Sequence, residues 1–213
     1  MKQFIALLIS LAPVSAFAEC FTRADVETSG LRVTLAPPGP YLEFTGSGSM
    51  TAEAYFNAGY GEDFYFDLLY GVYDTKRWSV KNGEIVAGSE TLIRYTPSID
   101  TAPPISEDFS FTAIKQELDP NGNEIDTFKV SFVGTGKGTL SVRGCTAEVI
   151  TYEMTEYYTE NETEYQYVEK YVYFPNLQIS VFGGSKNSPV IGGAVYDSGW
   201  ESEINIRKIA RIE

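Results

Sequence analysis

The chain contains no histidine and only two cysteines, Cys20 and Cys145. Imidazole-based triads and thiol–imidazole pairs are therefore excluded, and two cysteines cannot fill a tetrahedral zinc shell. Proton chemistry falls to the 29 Asp and Glu side chains. Glu62, Asp63 and Asp67 sit among aromatic residues, a setting in which one carboxylic acid and one carboxylate could cleave a glycosidic bond. So acidic a chain also brings carboxylates together by chance. A carboxylate-dependent glycoside hydrolase is thus the alternative reading, and no residue is singled out as catalytic.

The 15 tyrosines are the more distinctive feature. Tyr65 and Tyr70 belong to one aromatic cluster; Tyr152, Tyr158, Tyr165, Tyr167 and Tyr171 belong to a second. Exposed aromatic rings flanked by acids make stacking platforms for sugars or contact surfaces for protein partners. The bland counterpart is cross-strand packing with the hydroxyls at the rim. These seven tyrosines are the candidate ligand- or partner-binding residues.

Three further patterns carry less. Asp119, Asn121 and Asn123 with Asp126 imitate part of a calcium loop, but the glycine precedes the third ligand and the closing acid comes too early. Gly183-Gly184-Ser185-Lys186 lacks the spacing of a phosphate cradle. Asn161-Glu162-Thr163 is a glycosylation sequon, relevant only in a host that glycosylates exported proteins. No cofactor or metal site is expected. Nucleic acid is excluded as a partner by a net charge of −13, which repels phosphate backbones.

The opening residues read as an export signal. Met1-Lys2 is a positive start, 4–11 is almost wholly apolar, and Ala16-Phe17-Ala18 is a small-x-small cleavage site. Residues 1–18 are expected to be removed, leaving 19–213 as one periplasmic or extracellular domain. In that compartment Cys20 and Cys145 are expected to pair. No later apolar run reaches the roughly 18 residues of a spanning helix. An outer-membrane barrel is disfavoured by strands carrying charges on both faces and by the terminal Ala210-Arg211-Ile212-Glu213.

The elements that must hold these side chains are strands. Leu31 to Leu35 alternates, as does 204–212, and turn clusters recur every 8 to 12 residues or so. Residues 50–56 are ambiguous, since Thr51-Ala52-Glu53-Ala54 could form a helical turn, and 64–73 reads as one strand. Asn82-Gly83 supplies the two left-handed residues of a tight hairpin. Asn121-Gly122 does the same for a hairpin over 108–134, placing Phe111 opposite Phe132 and Ala113 opposite Val130. Asp-Pro-x-Gly could instead make a type I turn with a bulge, moving the register by one.

A third hairpin, turning at residues 160–163, places Tyr152 opposite Tyr171, Met154 opposite Glu169, Glu156 opposite Tyr167 and Tyr158 opposite Tyr165. Both its faces are apolar near the base, and its outer half is expected to project into solvent. Residues 183–188 read as a loop. The expected fold is all-β: an antiparallel sandwich or half-open barrel of successive hairpins, with a closed lipocalin-like barrel as the alternative. The expected function is non-catalytic binding. The ligand would be an apolar or carbohydrate small molecule in the concavity, or the partner a protein on the tyrosine ribbon. A structural envelope protein is the third reading.

Overall fold

The computed structural model describes residues 21–36, 40–56, 61–200 and 205–212. The expected leader, Cys20 and the Pro37-Pro38-Gly39 stretch lie outside them. A short helix, α1 (Arg23–Thr28), leads into β1 (Leu31–Ala36), β2 (Tyr41–Ser47), β3 (Met50–Phe56), β4 (Asp63–Leu69) and β5 (Tyr73–Lys81). After β6 (Glu84–Ile85) come β7 (Thr91–Thr96), β8 (Ser110–Leu118) and β9 (Glu124–Val142). The chain continues through β10 (Cys145–Glu160), β11 (Thr163–Phe174), β12 (Ile179–Ile191), β13 (Ala194–Val195) and β14 (Asn205–Arg211). No helix among the described residues is long and apolar enough to cross a membrane.

All the strands join one 14-stranded antiparallel sheet in the order β13-β12-β11-β10-β9-β8-β7-β5-β4-β3-β2-β1-β14, with β6 paired to β5. Neighbours in sequence are neighbours in space, as short tight turns demand. The exceptions are β7, which pairs with β5 rather than β6, and β14, which returns beside β1. The sheet is open, which rules out the closed lipocalin-like barrel. It curls, so that side chains of β2–β5 and of β8–β12 line one shared cavity.

Alternation explains the inner face. In β1, Leu31, Val33 and Leu35 are buried while Arg32 is exposed. In β8, Phe111 and Ala113 are buried, and the same rhythm carries Lys115 and Glu117 inward. Two apolar clusters result. One joins Tyr73, Tyr95, Phe109, Phe111, Phe132, Ile150, Tyr152 and their neighbours. The other packs β1 and β2 and Val26 of α1 against Val149, Phe174, Ile179 and Val181. The base of β10–β11 is therefore covered on both faces, as the doubly apolar sequence there demands.

The hairpin registers follow the sequence reading. Phe111 pairs with Phe132, Ala113 with Val130 and Tyr152 with Tyr171, and Tyr158 pairs and stacks with Tyr165. Asn161 and Glu162 both adopt positive φ, giving the two-residue turn. The β8–β9 turn combines both expected options. Gly122 N–H donates to the Asp119 carbonyl at 2.9 Å in a four-residue turn, and a register shift between Glu117 and Leu118 restores the pairing beyond it. Asp119 also accepts from the N–H groups of Asn121 and Asn123, each at 2.8 Å, so its carboxylate serves the turn.

Three expectations need correction, one open reading is settled, and one element was not expected. Helix α1 has no apolar periodicity to betray it; the Asp25 carboxylate caps it by accepting from Thr22 N–H at 2.8 Å. Residues 50–56 form a strand, because β2 and β4 pair with both its edges. The run 64–73 is a hairpin rather than one strand, since Tyr70 and Gly71 turn it at positive φ. A Cβ on Gly71 would lie 2.0 Å from the Gln178 carbonyl oxygen, so only glycine fits that close approach. Residues 183–188 continue β12, because polar residues in mid-strand still find backbone partners on β11. Finally, the tyrosine ribbon does not project freely. β9 pairs with β10 as far as Tyr157, and β12 pairs with β11 as far as Glu164, so only the tip stands beyond.

One further tie was invisible in the sequence. The Arg23 guanidinium donates to Thr51 Oγ1 at 2.8 Å, Leu177 O at 3.1 Å, Gly48 O at 3.0 Å and Met50 O at 2.6 Å. It bolts the β2–β3 turn to the β11–β12 turn, and the Thr51 hydroxyl adds a bond to Gln178 O at 2.9 Å.

Candidate functional site

Inside the curl is a cavity of about 570 Å³. Its walls come from β2–β5 on one side and β8–β12 on the other. Phe64, Phe66 and Leu68 alternate inward from β4, and Glu53 and Tyr55 from β3. From β10 come Tyr152, Met154 and Glu156, and from β11 Tyr167, Glu169 and Tyr171. Ser180 and Phe182 of β12 complete that side.

Two bulges set the geometry. Leu68 pairs with Asp74 and Phe66 with Arg77, so an extra residue in β5 brings Asp74 and Arg77, three apart, onto one face. Thr75 lies in that bulge, its hydroxyl donating to the Asp67 carbonyl at 3.0 Å. On the other wall Lys170 pairs with Gly184 but Tyr171 with Phe182, leaving Gly183 as the extra residue that turns Phe182 inward.

One end of the cavity is an ion network. Lys115, only 3% exposed, places its Nζ 2.8 Å from Glu156 Oε1, 3.4 Å from Asp74 Oδ2 and 3.5 Å from Glu117 Oε1. Burial works against its charge, but Asp74, Glu156 and Glu117 together outweigh it and hold the ammonium well above the ordinary lysine value. The Arg77 guanidinium lies 2.5 Å from Glu117 Oε2, and the Tyr95 hydroxyl donates to Asp74. Both cations of the lining are thereby engaged.

Glu169 and Glu53 line the same cavity without a direct ion pair among the described residues. Glu169 accepts from the Tyr171 hydroxyl at 2.7 Å and the Tyr167 hydroxyl at 3.2 Å. Burial raises its pKa; those hydroxyl bonds pull it back only in part. Glu53, facing the cavity from β3, is pushed up to about 8, first by enclosure among protein atoms and then by the charge of Glu169. Its surface is partly accessible because the cavity itself reaches it. At neutral pH Glu53 therefore carries its proton. Tyr167 is raised to about 12 by burial and by Glu169, so its hydroxyl stays a donor.

The seven candidate tyrosines divide. Tyr152, Tyr167 and Tyr171 line the cavity. Tyr152 stacks on Tyr171 with centroids 5.1 Å apart and donates to Ser180 Oγ at 3.0 Å. Tyr158 and Tyr165 stack at the ribbon tip at 5.3 Å, where Asn187 Nδ2 donates to the Tyr158 hydroxyl. Tyr65 stacks on Trp78 at 5.6 Å away from the cavity, and Tyr70 is exposed in the β4–β5 turn.

The acids divide as well. Glu62 pairs with Lys81 at 3.5 Å, and Asp63 and Asp67 alternate with Phe64 and Phe66 and so turn outward. The acids that do meet, Glu53, Asp74, Glu117, Glu156 and Glu169, come from five different strands. The hairpin register already placed Glu156 and Glu169 on the face of Tyr152 and Tyr171, and that was the readable signal. Glu53 had no such signal.

The fold and the site together define a class: an open, curled antiparallel sheet around a cavity walled by aromatic rings and carboxyl groups. No family model matches this chain, and neither a curated protein nor a solved structure is similar to it.

Proposed function

We propose that this chain is an exported, non-catalytic binding protein that takes a small molecule into the cavity of its curled sheet. The observation that carries this reading is the cavity itself. Its volume of about 570 Å³ lies within the roughly 300–1,000 Å³ usual for ligand sites, and convergent polar groups interrupt an aromatic wall. Export rests on the leader-like residues 1–18 and on the expected Cys20–Cys145 bridge, whose second cysteine opens β10. A protein partner on the tyrosine ribbon has less support, because Tyr152, Tyr167 and Tyr171 face inward.

The test is native mass spectrometry of the protein purified from its own host, beside a Phe182→Ala/Tyr171→Ala double variant. A co-purifying molecule that the variant loses supports the reading; retention of the same molecule by the variant overturns it. One observation favours a second reading, an acid-catalysed hydrolase: Glu53 keeps its proton at neutral pH, as a general acid must. Hydrolysis of a glycan panel, abolished by Glu53→Gln, would establish that reading in place of the first.

A further inference from the structure

We infer that the cavity's ligand is an organic cation, an ammonium or quaternary ammonium group on an apolar body, seated between Glu53 and Glu169 against the ring of Tyr171. This deepens the binding reading above and rests on it.

Three independent features converge. First, the lining's cations are already spent: Lys115 on three carboxylates and Arg77 on Glu117. An anionic ligand would find no free positive group on these walls and several negative ones. Second, Glu53 is a half-buried carboxyl that lines the cavity from β3, and no described residue forms an ion pair with it. A cation brought into the cavity would supply the opposite charge that its neighbours do not. Third, the carboxyls stand beside aromatic faces. Tyr171 stacks on Tyr152 and meets Phe182 edge-on at 5.8 Å, and such faces attract a desolvated cation.

The proton balance follows. The ionisable groups that line the cavity with Glu53 are Tyr55 of β3, Glu169, Tyr167 and Tyr171 of β11, Tyr152 and Glu156 of β10, Lys115 of β8, and Asp74 and Arg77 of β5. Lys115 and the tyrosines are held in their protonated forms well above neutrality. A monocation entering at neutral pH stabilises the Glu53 carboxylate, and the displaced proton passes to the buffer. Affinity therefore rises with pH until Glu53 is ionised without ligand. The chain has no histidine to confuse this window.

The experiment is isothermal titration of the intact secreted protein at pH 6, 7 and 8 in 150 mM salt. The probes are benzyltrimethylammonium, whose charge never titrates, uncharged 2-phenylethanol, and methyl β-glucoside. The expected result is at least tenfold tighter binding of the cation than of either uncharged probe, with affinity rising by up to about tenfold per pH unit. Glu53→Gln flattens that rise, and Glu169→Gln, which lowers the Glu53 midpoint, moves the rise to lower pH. Equal or tighter binding of an uncharged probe overturns the inference and leaves the cavity reading standing. So does cation affinity that is flat from pH 6 to 8 in the unmodified protein. Binding of no probe at all overturns both.

Discussion

β10 and β11 pass through two environments, and the contrast organises the molecule. At their base, Val149 and Phe174 are buried in one apolar cluster and Ile150 and Tyr173 in the other, with no carboxyl among them. Further along the same strands, Glu156, Tyr167 and Glu169 face a cavity instead of a partner sheet. The base obeys the rule that close-packed apolar interiors carry the stability. The cavity segment breaks that rule, retaining space and ionisable groups that a protein selected for stability alone would have filled. Buried ionisable groups are costly, and their concentration in one place is what the proposed binding reading rests on.

The largest expected effect lies in the ion network of the cavity segment. Lys115→Met leaves Asp74, Glu117 and Glu156 without their shared ammonium, and urea unfolding at pH 7 should show a loss of about 5 kcal/mol. Next, Phe174→Ala, a ring 1% exposed at the base, should cost about 4 kcal/mol by the same measurement. If Lys115→Met proved neutral, the ion network would be no part of the folded core.

The third effect depends on pH. Glu53 has a folded-state pKa raised from 4.5 to about 8, so the folded protein binds this proton more tightly than the unfolded chain. Its contribution is fully present below 4.5 and is lost as pH rises towards 8, at about 1.4 kcal/mol per unit. Glu53→Gln, which cannot ionise, should therefore gain on the parent by about 3 kcal/mol between pH 4.5 and 7 in ligand-free protein. The comparison is made by denaturant midpoints at both pH values. Equal pH slopes in variant and parent would show that Glu53 is not enclosed. The smallest effect belongs to the cavity wall. Phe182→Ala removes a ring already facing open space, so it should cost about 1 kcal/mol, well short of the Phe174 substitution.

The same contrast governs what could be read from the sequence. Hairpin registers were legible because the turn at 160–163 fixes pairing locally and one-residue slips would expose Phe111, Phe132 or Tyr152. The doubly buried base was legible from its doubly apolar pattern. The cavity was only half legible. Its β10–β11 wall followed from the register, but the opposite wall depends on the curl that brings β3 across from β11, and no local signal encodes that. The bulges at Thr75 and Gly183 broke the alternation by which Asp74, Arg77 and Phe182 would have been assigned a face. The acid triplet near Tyr65 misled for the opposite reason, being close in sequence but turned outward.

All of this depends on β3 and β11 facing each other across an enclosed space. A carbon-13 NMR titration of the Glu53 side-chain carboxyl in the ligand-free protein measures that directly. The account predicts a midpoint near pH 8 that falls when Glu169 is changed to Gln. A midpoint near the ordinary glutamate value of 4.5, unmoved by that change, would contradict it.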